Sequence, residues 1–289
     1  MPDEDGRETC AMLLSCISSG PRYFLPLSDD FHRRFRLVLY GDNTANAVPK
    51  QMAACQAAIH SADVFIYHSA DWMPFMGDDH EPYERLLEQV PARVKKIPFP
   101  LPHLHAFWPF HGPDPRNSIA DRPFNRHGEQ PCYPYADSYV LDLIKQGLPP
   151  EEVISRYLAL DLATVADLDK LMQWTMNQAE RNDRIMEIKI AEFIGTNFRS
   201  LRLFQSINHA GNRLLLYMTN QVLKQLDCRP VPESVLERTV ELVQPQSPVH
   251  PSIARHFGAS WASAGARYTV DSRRYLTFAE YLREYVYYT

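Results

Sequence analysis

The sequence predicts an α/β protein: a small, mostly parallel sheet of the flavodoxin or Rossmann kind at the N-terminus, followed by a largely helical remainder. Three observations predict it. Short apolar runs alternate with helical segments over the first hundred residues, and strands spaced by helices need crossover connections, which build a parallel sheet. Apolar side chains make up 45% of the 289 residues and charged ones 22%, enough for a sizeable core. Past residue 137 the pattern shifts to helical periodicity.

The elements follow in order. Residues 10–15 read as the first strand, ending in small side chains. Residues 35–40 read as the second, followed by the turn signal Gly41-Asp42-Asn43. Residues 51–60 are helical in composition, 63–67 form a buried strand, 82–90 a short helix and 95–99 a fourth strand. Residues 98–134 hold nine prolines, a density that forbids regular helix and central strand. A loop of that length in a compact domain is often functional. Helices are then expected over 137–146 with Gly147 as the stop, from Pro149-Pro150 onward, over 162–193 with Gly195 as the stop, over 209–226 and over 233–243. A tyrosine-rich helix is expected at 278–288. The domain reading is an α/β subdomain over 1–100, a Pro/His/aromatic-rich loop over the site at 101–136, and a mainly helical part over 137–289, packed on the first as one globular unit.

Composition narrows the function classes. With 30 basic and 35 acidic side chains the net charge is −5, and no basic stripe marks a nucleic-acid face. No apolar run approaches the roughly 20 residues that span a bilayer. Residues 1–8 are acidic and polar, unlike a secretory signal. Five scattered cysteines without a C-x-x-C pair suit reduced thiols, so a cytoplasmic location is expected. Dinucleotide, P-loop and G-x-S-x-G signatures are missing.

The residues that could carry chemistry lie in three places. Cys16, with hydroxyl neighbours Ser15, Ser18 and Ser19, sits where the first strand turns. Parallel sheets bind ligands at the carboxyl ends of their strands, and a thiolate there is a nucleophile once a base or a helix N-terminus lowers its pKa. A buried structural cysteine is the alternative. The second place is Ser206-Ile207-Asn208-His209-Ala210-Gly211-Asn212. Asn208 reads as an N-cap, which sets His209 in the first turn of a helix, where the dipole keeps imidazole neutral and able to act as a general base. Packing or loop bonding is the alternative for His209. Arg199, Arg202 and Arg213 flank this segment and could pair with phosphates, or remain solvated surface charge. The third is the proline-rich loop. His103 and His105 lack a third ligand at a familiar spacing, so no metal is expected, and Phe107, Trp108 and Phe110 offer a platform for a sugar ring.

Several blocks occur together in a familiar order. They are the strand ending in Cys16, Ala62-Asp63-Val64-Phe65-Ile66-Tyr67, Ile97-Pro98-Phe99-Pro100, Ala106-Phe107-Trp108-Pro109, Gly147-Leu148-Pro149 with Glu152, and Arg202-Leu203-Phe204-Gln205-Ser206-Ile207-Asn208-His209. In this order the chain resembles the WcbI-type capsular polysaccharide biosynthesis proteins over roughly residues 9–226. The resemblance implies a cytoplasmic O-acetyltransferase that moves an acetyl group from acetyl-CoA to a sugar hydroxyl in bacterial capsule or exopolysaccharide synthesis. It implies Cys16 and His209 as catalytic residues, meeting in one cleft with Ser15 beside them. Coenzyme A would contact Ser18, Asn208, Arg202, Asn212, His103 and Trp108. The partners implied are a sugar or glycan-precursor acceptor and other polysaccharide-synthesis enzymes. This chain departs from the family at the first turn, which here reads Leu14-Ser15-Cys16-Ile17 rather than Gly-Asn-Cys-Gln. Two alternatives stay open: an SGNH-like esterase or deacetylase using Ser15 or Cys16, and a non-catalytic coenzyme A or sugar-binding protein of a biosynthetic complex.

Overall fold

The computed structural model describes residues 6–42, 56–68, 81–118, 133, 135–242, 246–271 and 274–288. The chain divides into two compact units. The first comprises Met1–Pro102, Ala179–Glu192 and Ala210–Val243; the second comprises His103–Gln178, Phe193–His209 and Gln244–Thr289.

The first unit is built on four parallel strands: β1 (Glu8–Leu14), β2 (Phe35–Asp42), β3 (Val64–His68) and β4 (Lys95–Phe99), in the order β2-β1-β3-β4. That order reverses direction between β1 and β3, which makes their carboxyl ends the topological switch point where α/β sheets hold ligands. β1 is apolar on both faces, with Cys10, Ala11, Met12, Leu13 and Leu14 all at 2% exposure or less, as a parallel sheet covered on both sides demands. On one face Ala11, Leu13 and Phe65 pack with Ile59, Leu86 and Val90. Pro98 is tolerated because β4 is an edge strand. Gly41 and Asp42 continue β2 rather than turn it.

The crossover from β1 to β2 carries a 3-10 turn at Cys16–Ser18, then α1 (Ser19–Phe24) and α2 (Asp29–Arg34). Residues 56–61 are helical ahead of β3, and α3 (Glu81–Glu88) precedes β4. Residues 51–55 of the expected helix lie outside the described residues.

The second unit opens on the proline-rich segment. It forms a 3-10 turn at His105–Phe107, β5 (His111–Pro113) and a 3-10 turn at Pro115–Ser118; residues 119–132 lie outside the described residues. β5 pairs antiparallel with β6 (Tyr135–Asp137). Asp137 caps α4 (Ser138–Lys145) by accepting the Val140 N–H at 3.1 Å, and Gly147 ends the segment at φ +73°. α5 (Pro150–Ala159) starts on the expected proline, with Glu151 and Glu152 in its first turn.

The long helix expected over 162–193 is broken. It resolves into a 3-10 turn at Leu162–Thr164, α6 (Leu168–Ile185) and α7 (Ala191–Asn197). The break is made by Asp183, whose carboxylate accepts the N–H groups of Ile190 (2.7 Å) and Ala191 (3.0 Å) and so caps the next helix. Gly195 lies inside α7 rather than stopping it. A Cβ there would stand 3.2 Å from Met176 Cε, so close packing explains the glycine.

After β7 (Phe204–Ser206) and β8 (His209–Ala210), which pair with each other, α8 (Asn212–Gln225) belongs to the first unit. Gly20 of α1 packs directly on it, because a Cβ at Gly20 would stand 2.7 Å from Leu215 Cβ. The helix expected over 233–243 is a 3-10 segment, Glu233–Arg238. In the second unit α9 (Pro251–Phe257) and the hairpin β9 (Tyr268–Asp271)–β10 (Arg274–Leu276) lead to α10 (Phe278–Val286). Thr277 and Glu280 form a full capping box on α10. Arg116 fastens its far end. The guanidinium bonds Asp114 at 2.6 Å, donates to the carbonyls of Tyr285 (3.1 Å) and Tyr288 (2.6 Å), and lies over both rings.

Candidate functional site

The end of β1 carries the first constellation. Cys16 opens the 3-10 turn that follows the strand; its side chain lies outside the described ones. Ser15 is described and is held by a residue that sequence reasoning missed. His68, the last residue of β3, is fully buried. Its Nδ1 lies 2.9 Å from the Phe99 carbonyl at the end of β4. A carbonyl only accepts, so Nδ1 carries the proton and Nε2 presents a lone pair. The backbone N–H of Ser15 donates to that Nε2 at 3.1 Å, and Ser15 Oγ lies 3.0 Å from it as a second donor. Three adjacent parallel strand ends thus place a hydroxyl, an imidazole and a carbonyl in one line of hydrogen bonds, beside the switch point. His68 gave no local signal in the sequence: its partners are 53 and 31 positions away.

Ser18 lines a shallow cavity of about 320 Å³ with Ser19, Arg22, Tyr23 and Leu242. Arg22, not singled out from the sequence, brings a cation beside two hydroxyls. Asn212, in the same unit, uses its whole amide on the chain that follows. Its Nδ2 donates to the Val240 carbonyl at 2.9 Å and its Oδ1 accepts the Leu242 N–H at 3.0 Å. Arg213 is ion-paired with Glu233 at 2.6 Å.

The second unit holds His209. The expectation of a helical first turn is overturned: Gly211 is the N-cap of α8, and Asn208 precedes the β8 ladder. His209 is nonetheless neutral near pH 7, for a different reason. Burial disfavours the imidazolium and brings its pKa down to about 4. Ser206 Oγ lies 2.5 Å and Tyr135 OH 3.3 Å from its Nδ1, so that nitrogen is engaged by protein hydroxyls. Asn208 Oδ1 is buried and finds no hydrogen-bond donor among the described residues, a state that costs about 1–3 kcal/mol until something satisfies it.

Around them is an aromatic, imidazole-rich neighbourhood. The His111 and Tyr135 rings are 4.6 Å apart, and burial together with His105 and His209 holds His111 down to about 4. His103 stacks on His105, which meets Trp174 edge-on. Trp108 Nε1 donates to the carbonyls of Ser247 (3.1 Å) and Pro248 (3.2 Å), and the ring lines a cavity of about 60 Å³ with Tyr135, Asp137, Tyr157, His250 and Tyr281. That volume takes a few waters, not a sugar ring. Phe107 cannot serve as a sugar platform: it is 1% exposed and stacked between Phe257 and Trp261. Arg202 is committed to structure, donating to Gln246 Oε1 at 2.9 Å and lying over Tyr268 and Trp261. Arg199 likewise donates to the Phe257 carbonyl at 3.2 Å and covers Phe198. Among the described residues no three His, Cys, Asp or Glu side chains gather as a metal site, and no helix is long and apolar enough to cross a membrane.

Comparison with known proteins places this fold. No curated protein matches the sequence. A solved structure of WcbI is similar, with a TM-score of 0.72 and 16% identity over 97% of this chain and 89% of that one. That protein is described as a novel polysaccharide biosynthesis enzyme, in native form without a disulfide bond between coenzyme A and one of its cysteines. The family model for the polysaccharide biosynthesis enzyme WcbI matches residues 22–231, starting just beyond the Ser15–Cys16 turn. With its parallel sheet, helical remainder and a family match over most of its length, the chain belongs to the WcbI family of polysaccharide biosynthesis enzymes.

Proposed function

We propose that this chain is a coenzyme A-dependent O-acetyltransferase, moving the acetyl group of acetyl-CoA to a sugar hydroxyl during capsular or exopolysaccharide synthesis. The observation that carries the reading is the Ser15–Cys16 turn at the switch point of the sheet, in a member of a polysaccharide biosynthesis family. The description of the similar WcbI structure in terms of coenzyme A and a cysteine supports the choice of cofactor. In this reading Ser18 and Arg22 meet a phosphate of the coenzyme, and the orphaned Asn208 Oδ1 takes a donor from a ligand. Asn212, Arg202, His103 and Trp108 shape the surroundings through the bonds and stacking described above.

The chemistry follows from the protonation states. The acceptor hydroxyl oxygen attacks the thioester carbonyl carbon while its proton passes to the neutral His209 Nε2. The C–S bond breaks, and the coenzyme leaves as a thiol after taking up that proton. Cys16 either receives the acetyl group first or helps hold the oxyanion. The reaction belongs in the cytoplasm, where acetyl-CoA is supplied, alongside the other enzymes of the same glycan. A second reading, ester hydrolysis, is favoured by the Ser15–His68 pair.

The test follows thiol release from acetyl-CoA in the presence of sugar acceptors. His209→Ala is expected to lower the rate by about 10²–10⁴-fold while a thermal shift with coenzyme A persists. Full activity in that variant removes the base, and no thermal shift with any acyl-CoA removes the cofactor.

A further inference from the structure

His68 is buried between two strands, where an apolar side chain would pack without needing partners, yet it is an imidazole with both nitrogens engaged. The engagement is directional. The Phe99 carbonyl fixes the proton on Nδ1, which leaves the Nε2 lone pair aimed at Ser15. A hydroxyl on the lone pair of a neutral imidazole, with the far side of that imidazole held by an acceptor, is the arrangement that activates a serine. Both groups are buried, His68 at 0% exposure and Ser15 at 7%, so the pair is shielded from bulk water.

We propose that Ser15 is the residue that takes the acyl group, that His68 is its general base, and that the Phe99 carbonyl is the positioning group behind the base. The proposal rests on the acyl-transfer reading above but routes the transfer through the turn in two steps: Ser15 rather than Cys16 is acylated, and His68 rather than His209 handles the protons. Ser15 Oγ attacks the acyl carbonyl carbon and forms a new C–O bond, and its proton moves to His68 Nε2. The bond to the leaving group breaks, and the imidazolium returns the proton to that group. The acyl-serine is then attacked by a second hydroxyl, of a sugar or of water, whose proton takes the same route through Nε2 and back to Ser15 Oγ.

A second feature of the site supports a moving hydroxyl. The backbone N–H of Ser15 also donates to Nε2. The ring therefore stays anchored to the strand end when the side-chain hydroxyl turns away as an ester.

The test uses the full chain and p-nitrophenyl acetate, a donor that needs no coenzyme site. Wild type is expected to release p-nitrophenolate in a stoichiometric burst and to carry one acetyl group on the peptide containing Ser15. As an oxygen ester, that acetyl group resists neutral hydroxylamine. Ser15→Ala loses both, and His68→Gln slows the burst by about 10²–10⁴-fold. An acetyl group removed by neutral hydroxylamine, a burst unchanged in Ser15→Ala, or no burst from wild type overturns the proposal. Should His68→Gln lose the native near-ultraviolet circular dichroism, Ser15→Ala decides alone, since it keeps the backbone donor to His68. The coenzyme reading is scored separately, by thermal shift with coenzyme A. A burst on Ser15 without that shift sinks the coenzyme reading and keeps the dyad; the shift without acylated Ser15 does the reverse.

Discussion

His68 and His209 show two ways of keeping an imidazole neutral. In the first unit His68 is held by hydrogen bonds from three strand ends, and its tautomer is written into the sheet. In the second unit His209 has its Nδ1 against two hydroxyls, and burial brings its pKa down to about 4. The surroundings differ in the same sense. Where α1 meets α8 the first unit packs closely, down to a glycine whose missing Cβ admits a leucine, and its cavity beside Ser18 is a shallow one. The second leaves a cavity of about 60 Å³ and titratable groups shifted by burial. The lesson is that bonded geometry fixes one site, while desolvation fixes the other, so they should respond to different perturbations.

Packing gives the largest expected effect on stability. Gly20→Ala drives a methyl into Leu215, at 2.7 Å from its Cβ, and is expected to cost about 1–3 kcal/mol. The urea midpoint measures it, with a constant slope. A neutral outcome would mean that α1 and α8 yield easily and that the contrast between the units is overstated.

Titration in the second unit comes next. Burial raises Asp137 from 3.8 to about 6, while Tyr157 and two backbone donors pull the other way. The folded state therefore holds a proton that the unfolded state has lost between pH 3.8 and 6, and stability falls as pH rises through that window. Asp137→Asn keeps an acceptor for Tyr157 and a helix cap but carries no charge. It is expected to gain about 1–2 kcal/mol above pH 6 and nothing near pH 4, read as melting temperature against pH. A gain of equal size at both pH values would tie the effect to packing instead. His111 and His209 act oppositely: their lowered pKa values remove stability as pH falls from about 6.5 towards 4.

The smallest effect sharpens the comparison from outside. Arg213 and Glu233 form an exposed pair at 2.6 Å, so Arg213→Ala should change stability by no more than about 0.5 kcal/mol. A larger loss in a urea titration would show that the start of α8 depends on that pair.

Much of this was legible in the residues, and what was not has identifiable causes. β4 occupies the stretch read from its apolar pattern, and β1 and β3 lie within two residues of theirs, because buried parallel strands leave an unbroken apolar signature. α10 was visible through its amphipathic tyrosines. The start of α8 was misplaced because His209 and Ala210 pair with β7, a two-residue ladder too short to show in any pattern. The break after α6 was hidden because Asp183 makes it through its side chain, with no glycine or proline nearby. Ser15 could be named from its place after a strand. His68 could not, because what gives it meaning is the parallel register that sets the ends of β1, β3 and β4 side by side.

In the second unit Arg116 bears on the cavity without lining it. By gripping the carbonyls of Tyr285 and Tyr288 and covering their rings, it rivets α10 in place, and Tyr281, Leu282 and Tyr285 of that helix form part of the cavity wall. The last helix is thus less an appendage than a shutter latched from within its own unit. Removing that guanidinium would strip two carbonyls at the helix end of their donor, while Glu151 and Tyr133 still hold the helix through Arg283 and Glu284.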